Sequence, residues 1–336
     1  MTNSELIKQL FLSFNNKDNE GFVQAAREYI EREKRKKHNV VARELENALH
    51  QSAGLSNTQR RFRENLPIPR DTEKGFPLLE IQHFEQDFDR LILSENCKNQ
   101  LERIIREFKD SDILSTYNLS YKKKILLCGS PGTGKTFSAQ IISSVLNIPL
   151  VYIRFDAIIS SYLGETAGNL RKVFDFIENG VWIVLFDEFD IIGKNRDDNN
   201  EHGEIKRVVN NFLQMLDNFK GDSIIFAATN HQKMLDSAIW RRFDAVIDYT
   251  LPDEAMRRQL FDLYLRPIKR DKQLHLDDAA KISQGLSPSD IRMIAVEAMK
   301  NSIIDARNSL SKNDLNVAIQ QFLHREIVRK CGYEDE

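Results

Sequence analysis

At 336 residues the chain exceeds the roughly 100 to 200 residues of a typical domain, so two domains, or one with sizeable attachments, are expected. Its 41% hydrophobic and 29% charged residues and net charge of −2 exclude a disordered, collagen-like or polyelectrolyte chain, and charge singles out no partner class. Three scattered cysteines, Cys97, Cys128 and Cys331, make neither a disulfide framework nor a metal-ligand pattern; the start MTNSELIKQL lacks a secretory leader, and no apolar run approaches a membrane span, so a cytoplasmic protein is expected.

In chain order, Leu6, Ile7, Leu10, Phe11 and Phe14, then Phe22, Ala26 and Ile30, then Val41, Leu45 and Leu49 recur at helical spacing, predicting three short amphipathic helices. Residues 1–55 are therefore read as a small helical domain. The polar stretch that follows, broken by Pro67 and Pro69, reads as a linker over 56–85. From Lys124 the pattern changes: KILLC, LVYIR, WIVLF, SIIFA and AVIDY are short β-rich apolar runs separated by helical stretches. Strands alternating with helices predict a doubly wound parallel sheet, here over 86–252. After Pro252 only helical periodicity remains, in Leu260, Phe261, Leu263 and Tyr264, in Ile291, Ile294, Ala295 and Ala298, and in Leu315, Ala318, Ile319 and Phe322, so 253–336 is read as all-helical.

Residues 129–136 read GSPGTGKT, matching the phosphate-loop spacing at Gly129, Gly134, Lys135 and Thr136. The strand KILLC precedes it and an amphipathic helix follows, which lets backbone N–H groups and a positive helix end converge on phosphates. The loop residues Ser130, Pro131, Gly132, Thr133, Gly134, Lys135, Thr136 and Phe137 are the candidate nucleotide contacts, with Lys135 for the terminal phosphates and Thr136 for Mg²⁺. Asp187 and Glu188 end the strongly apolar run WIVLF, on the strand edge where α/β sheets bind ligands. Asp187 suits Mg²⁺ and Glu188 suits a base that takes a proton from water. Asn230, at the end of IIFAATN, is a candidate for orienting that water, and Arg241 and Arg242 in AIWRRFD bring fixed positive charge suited to phosphoryl transfer. Taken singly, these residues also fit turn chemistry or a surface ion pair.

Together they resemble the AAA family of ATPases: GSPGTGKT is similar to its Walker A, LFDEFD to its Walker B, AATN to its sensor 1 and WRRFD to its arginine-finger segment. The resemblance implies an ATP- and Mg²⁺-dependent ATPase, a helical lid over 253–336, and a homo-oligomeric, hexameric ring in which Arg241 and Arg242 act on a neighbour's ATP. It also implies that SSYLGETAGNLRKVF carries a pore loop, with Tyr162, Leu163 and Gly164 gripping a protein substrate, and that His202 stands near a second pore loop. In GLSPSDIRMIAVEA, Pro288 and Ser289 depart from the family's small Gly-Ala pair, which leaves Ser289 as the sensor 2 candidate and Arg292 as its fallback. More narrowly, LILSENCKNQLERIIREF, ISSYLGET, KRVVNNFLQMLD and AIWRRFD resemble bacterial stand-alone AAA ATPases often encoded beside a subtilisin-like serine protease. That implies a protease partner and a role in antiviral defence, although the chain itself has no G-x-S-x-G. Two alternatives stand beside protein remodelling: a nucleotide-gated scaffold, and a nucleic-acid-associated motor. Only EREKRKKH at 31–38 speaks for the motor, and its glutamates dilute the charge, which argues against nucleic acid.

Overall fold

The structure, a computed structural model, describes residues 3–15, 18–35, 45, 66–72, 75–155, 158, 166–189, 202–232 and 237–331. It divides into two compact units, Met1–Glu64 and Asn65–Glu336. In the first, α1 (Asn3–Asn15) and α2 (Asn19–Arg35) form a helical hairpin. Asp18 starts α2, its carboxylate accepting from the Gly21 N–H at 3.0 Å, and Leu6, Ala25 and Ile30 are buried. Phe11 and Phe14 are 71% and 75% exposed on α1. Of the third predicted helix, around Val41, Leu45 and Leu49, all but residue 45 lies outside the described residues.

The second unit is built on six strands: β1 (Leu79–Gln82), β2 (Lys124–Gly129), β3 (Leu150–Ile153), β4 (Ile183–Phe186), β5 (Ile224–Thr229) and β6 (Ala245–Tyr249), in the order β1-β3-β4-β5-β2-β6. All neighbouring pairs are parallel except β1 with β3. Helices α3 (Glu95–Lys109), α4 (Ser111–Thr116), α5 (Lys135–Leu146), α6 (Thr166–Glu178), α7 (His202–Asn218) and the short α8 (Ser237–Trp240) connect the strands. Every residue of β4 and β5 is buried, as coverage on both faces requires.

Successive side chains on a strand point to opposite faces, and the two faces have different chemistry. Ile125, Leu127, Ile183, Leu185 and Ile224 meet Leu101 and Ile104 of α3 and Ile141 and Ile142 of α5 in a largely aliphatic core. On the other face, Phe186 joins Phe155, Phe174, Phe189, Phe212 and Phe219, with ring centroids 5.0 to 6.4 Å apart.

The stretch 56–85, read as linker, contains β1. A bridge between Arg70 and Pro77 leads into it, and its Leu79 is buried where the strand covers the β3 edge. Asp71, 5% exposed, accepts from Asn169 Nδ2 of α6 at 2.9 Å, while Lys172 Nζ donates to the Thr72 hydroxyl at 2.7 Å and the Arg70 carbonyl at 3.1 Å. These bonds clasp the segment before β1 onto α6.

After β6 come α9 (Glu254–Tyr264), α10 (Leu276–Ile282), α11 (Pro288–Ile304) and α12 (Lys312–Cys331). Asp253 caps α9, and a full capping box between Ser287 and Asp290, with Pro288 at the first helical position, starts α11. Leu260, Phe261, Ile291, Ile294, Ala295, Leu315, Ile319 and Phe322 pack into a core of their own. Among the described residues no helix is long and apolar enough to cross a membrane.

Candidate nucleotide site

β2 delivers the chain to Gly129 and α5 begins at Lys135, so the phosphate-loop sequence occupies the strand-to-helix turn. Glycine is required at its start: Gly129 has φ 143°, and a Cβ there would lie 2.3 Å from the Tyr249 carbonyl oxygen. Gly132, φ 74°, is needed for close approach, because a Cβ would meet the Ser287 hydroxyl at 2.6 Å and Ser289 Cβ at 2.8 Å. The Thr133 hydroxyl donates to the Ser130 carbonyl at 2.8 Å and tightens the turn. Gly134 precedes α5 without any side-chain cap, so the helix's first N–H groups face the loop, an arrangement suited to anions. Ser130 and Pro131 are exposed, and Phe137 packs against the aliphatic core.

Lys135 is 6% exposed, its ammonium donating to the carbonyls of Gly129 at 2.7 Å and Ser130 at 2.9 Å. A lysine this enclosed needs such acceptors, and they keep its charge within the loop. The Thr136 hydroxyl donates to Asp187 Oδ2 at 2.6 Å. The loop helix and the β4 exit thereby bring together a hydroxyl and a carboxylate, hard oxygen donors of the kind Mg²⁺ takes. The other oxygen of Asp187 accepts from the Glu188 N–H at 2.9 Å. Glu188 is exposed and has φ 52°. A non-glycine residue held in the left-handed region carries strain of order 1 to 3 kcal/mol, which persists where the surroundings enforce it. Phe189 supplies that enforcement: it is fully buried, and its N–H donates to the Ala228 carbonyl at 2.9 Å.

Asn230 follows β5 and is half-buried. An open groove of about 530 Å³ runs from it to the loop, lined by Gly129, Ser130, Asn230, His231, Asp248 and Thr250. Lys135, Thr136, Asp187, Glu188 and Asn230 therefore all stand at the carboxyl ends of the parallel strands or at the helix start beside them. Arg241 and Arg242 lie in the turn after α8, where Arg242 Nε donates to Asp217 Oδ2 at 2.8 Å and Arg241 is exposed. Ser289 meets the loop through its backbone N–H, which donates to the Gly132 carbonyl at 3.1 Å. Its fallback Arg292 instead lies beside Tyr264, whose pKa burial raises against the opposing charges of Arg292 and Arg90. Tyr162, Leu163 and Gly164 lie outside the described residues, as does the side chain of His202.

Three participants escaped sequence reasoning: Asp217, Ser287 and the Tyr249 carbonyl. Only Ser287 had a local signal, since S-P-S-D is a capping-box spacing. Two cysteines are buried: burial, with the Asp248 charge second, pushes the Cys128 thiol up to about 12, and burial does the same to Cys97. No cluster of three or more metal-ligating side chains occurs among the described residues.

Comparison with known proteins matches residues 125–251 to the family described as ATPase family associated with various cellular activities (AAA). An AAA family ATPase of Sinorhizobium fredii is 34% identical over 328 residues, covering 97% of this chain and 97% of the relative. The proteasome-activating nucleotidase of Saccharolobus solfataricus is 33% identical over 236 residues, 68% of this chain. The 26S proteasome subunit RPT4 of Saccharomyces cerevisiae is 31% identical over 263 residues, 76% of this chain. The match spans 60% of the length of each of these two proteasomal relatives.

Proposed function

The chain belongs to the AAA family of ATPases and hydrolyses ATP with Mg²⁺, and from that premise we propose that it acts as a ring of like subunits, a hexamer, that remodels or threads a protein substrate. In this reading the amides of Gly132, Thr133, Gly134, Lys135 and Thr136 receive the phosphates, Ser130, Pro131 and Phe137 shape the loop, and the Lys135 ammonium offsets the terminal charge. Thr136 and Asp187 would hold Mg²⁺, which when bound would supply positive charge to the phosphate oxygens. Glu188 takes the proton as water attacks the γ-phosphorus and the β–γ anhydride bond breaks, and Asn230 orients that water. Arginine from the 241–242 turn of a neighbouring subunit stabilises the charge that develops. Residues 253–336 serve as a lid, with Ser289 reporting on the nucleotide through the phosphate loop.

The observation that carries the hydrolytic part of the reading is the strained, exposed Glu188 directly after an Asp187 bonded to Thr136. The names of the proteasomal relatives support protein as the substrate class, and the resemblance of SSYLGET to a pore loop supports Tyr162 and Leu163, with Gly164, as the grip. The same relatives favour a protease as partner. A subtilisin-like protease, with antiviral defence in the cytoplasm as the setting, is the form that the narrower resemblance supports.

ATP turnover measured against protein concentration tests the shared site. Activity should rise with concentration and return in part when Arg241→Ala is mixed with Glu188→Gln, since one variant supplies the base and the other the arginine. Flat turnover with no recovery would replace the ring with a self-contained switch. For threading, Tyr162→Ala should lose substrate processing while sparing basal turnover, and equal processing would sink that part. The exposed Phe11 and Phe14 of α1 favour a second reading, a scaffold that recruits a partner through its N-terminal helices. Deleting residues 1–55 should then abolish partner capture and leave hydrolysis intact.

A further inference from the structure

The two arginines differ in what holds them. Arg242 is 32% exposed and its Nε donates to Asp217 Oδ2 at 2.8 Å, on the last turn of α7. Its backbone N–H donates to the Ile239 carbonyl at 3.1 Å, which closes the turn. The guanidinium of Arg241 is exposed and makes no hydrogen bond or ion pair among the described residues. On the other side of Arg242, Phe243 is buried and sets its ring edge-on to Phe189 at 6.3 Å and 87°. Phe189 follows Glu188 and packs against Phe212 of α7 at 5.0 Å. The arginine turn is therefore tied at two points, by charge to the end of α7 and by ring contact to Phe189 at the β4 exit, which in turn packs on α7 through Phe212.

We infer that the arginines divide the work: Arg241 is the residue offered to a neighbour's ATP, while Arg242 is a positioning residue that Asp217 holds so that Arg241 points outward. The inference rests on the ring reading above and names the support of that site. An ion pair with partners 32% and 46% exposed adds little to stability, so its effect is on geometry. Arginine suits this use, because its planar fork fixes direction as well as charge. A guanidinium misplaced by about 1 Å can cost about a hundredfold in rate, which is why a free finger gains from a tethered neighbour. Because Asp217 belongs to α7, a subunit whose α7 shifts on the aromatic core also shifts the arginine it presents next door. A change within one subunit then alters hydrolysis in another.

Steady-state ATPase kinetics on full-length Arg241→Ala, Arg242→Ala, Asp217→Ala and the Asp217→Ala/Arg242→Ala double variant test this. Arg241→Ala should lower kcat by about a thousandfold, the scale of a lost arginine finger. Arg242→Ala and Asp217→Ala should each lower kcat by about tenfold to a hundredfold, with KM for ATP and melting temperature near wild type. The double variant should be no worse than either single one, and the exchanged pair Asp217→Arg/Arg242→Asp should recover most of the loss. Asp217→Asn gives the same reading if the alanine variant does not fold. The inference is overturned if Arg242→Ala falls as far as Arg241→Ala while Asp217→Ala matches wild type, or if the two losses multiply in the double variant. Failure of the ring itself looks different and would also remove the proposal: Arg241→Ala would then leave turnover unchanged at every protein concentration.

Discussion

The two faces of the central sheet are packed from different materials. Under α3 and α5 the contacts are mainly aliphatic, and this face carries the helix that starts at Lys135. Under α6 and α7 a cluster of phenylalanine rings joins the aliphatic side chains, and this face carries Phe186 and Phe189 on either side of Asp187 and Glu188. Branched aliphatic chains have few rotamers and hold a helix start in one place. Ring contacts are large and directional, and Phe155, Phe174, Phe186, Phe189 and Phe212 each touch several other rings, so a displacement of one helix reaches several elements. The aliphatic face thus suits nucleotide retention, and the aromatic face suits chemistry and its transmission to the arginine turn.

The comparison breaks most directly at the two charged residues. Lys135→Ala should lose nucleotide binding outright, whereas Glu188→Gln should retain ATP while turnover falls about a hundredfold to ten-thousandfold. Equilibrium binding set beside kcat separates the two, and a Glu188→Gln variant that no longer binds ATP would contradict the division. A finer cut matches two conservative core changes. Phe212→Leu removes contacts to Phe155, Phe174, Phe186 and Phe189, and Ile142→Val trims the other face. Each should cost about 1 kcal/mol in denaturant unfolding, yet only Phe212→Leu should slow turnover several-fold. Equal slowing in both would mean that the faces do not differ in role.

The smallest effect on turnover lies away from both faces, in the helical region after β6, where the consequence is for stability. Burial opposes ionisation of Asp314, but two bonds from Arg307 at 2.6 and 2.7 Å, with Ser311, hold its carboxyl below the usual carboxylate range. A depressed pKa gives stability that is present above the unfolded value and is lost as pH falls through the folded one. Asp314→Asn should therefore cost about 1 to 3 kcal/mol at neutral pH, and the gap to wild type should close on acidification. Melting curves from pH 7 downward check the sign.

The five apolar runs read as strands are β2 to β6, because parallel strands buried on both faces announce themselves locally. β1 did not: Leu-Glu-Ile-Gln is short, sits among prolines and buries one side at an edge, so the same residues read equally well as linker. The geometry around Lys135, Thr136, Asp187 and Glu188 follows from two contiguous stretches whose spacing encodes it. The partners Asp217 and Ser287 were hidden for the opposite reason. Asp217 meets Arg242 across 25 positions, and Ser287 meets Gly132 only because α11 is folded back over the loop. Contacts of that range are decided by packing and leave no periodic trace.

The clasp before β1 also has a mechanical meaning. The chain reaching Leu79 from the N-terminal side is fastened both by the ladder to β3 and by Asp71, Arg70 and Thr72 to α6. Tension arriving along residues 66–72 is borne by several bonds in parallel across two elements, so it cannot peel the edge strand one bond at a time. The segment works as a mooring: whatever pulls at the front of the chain pulls on the sheet and on α6 together.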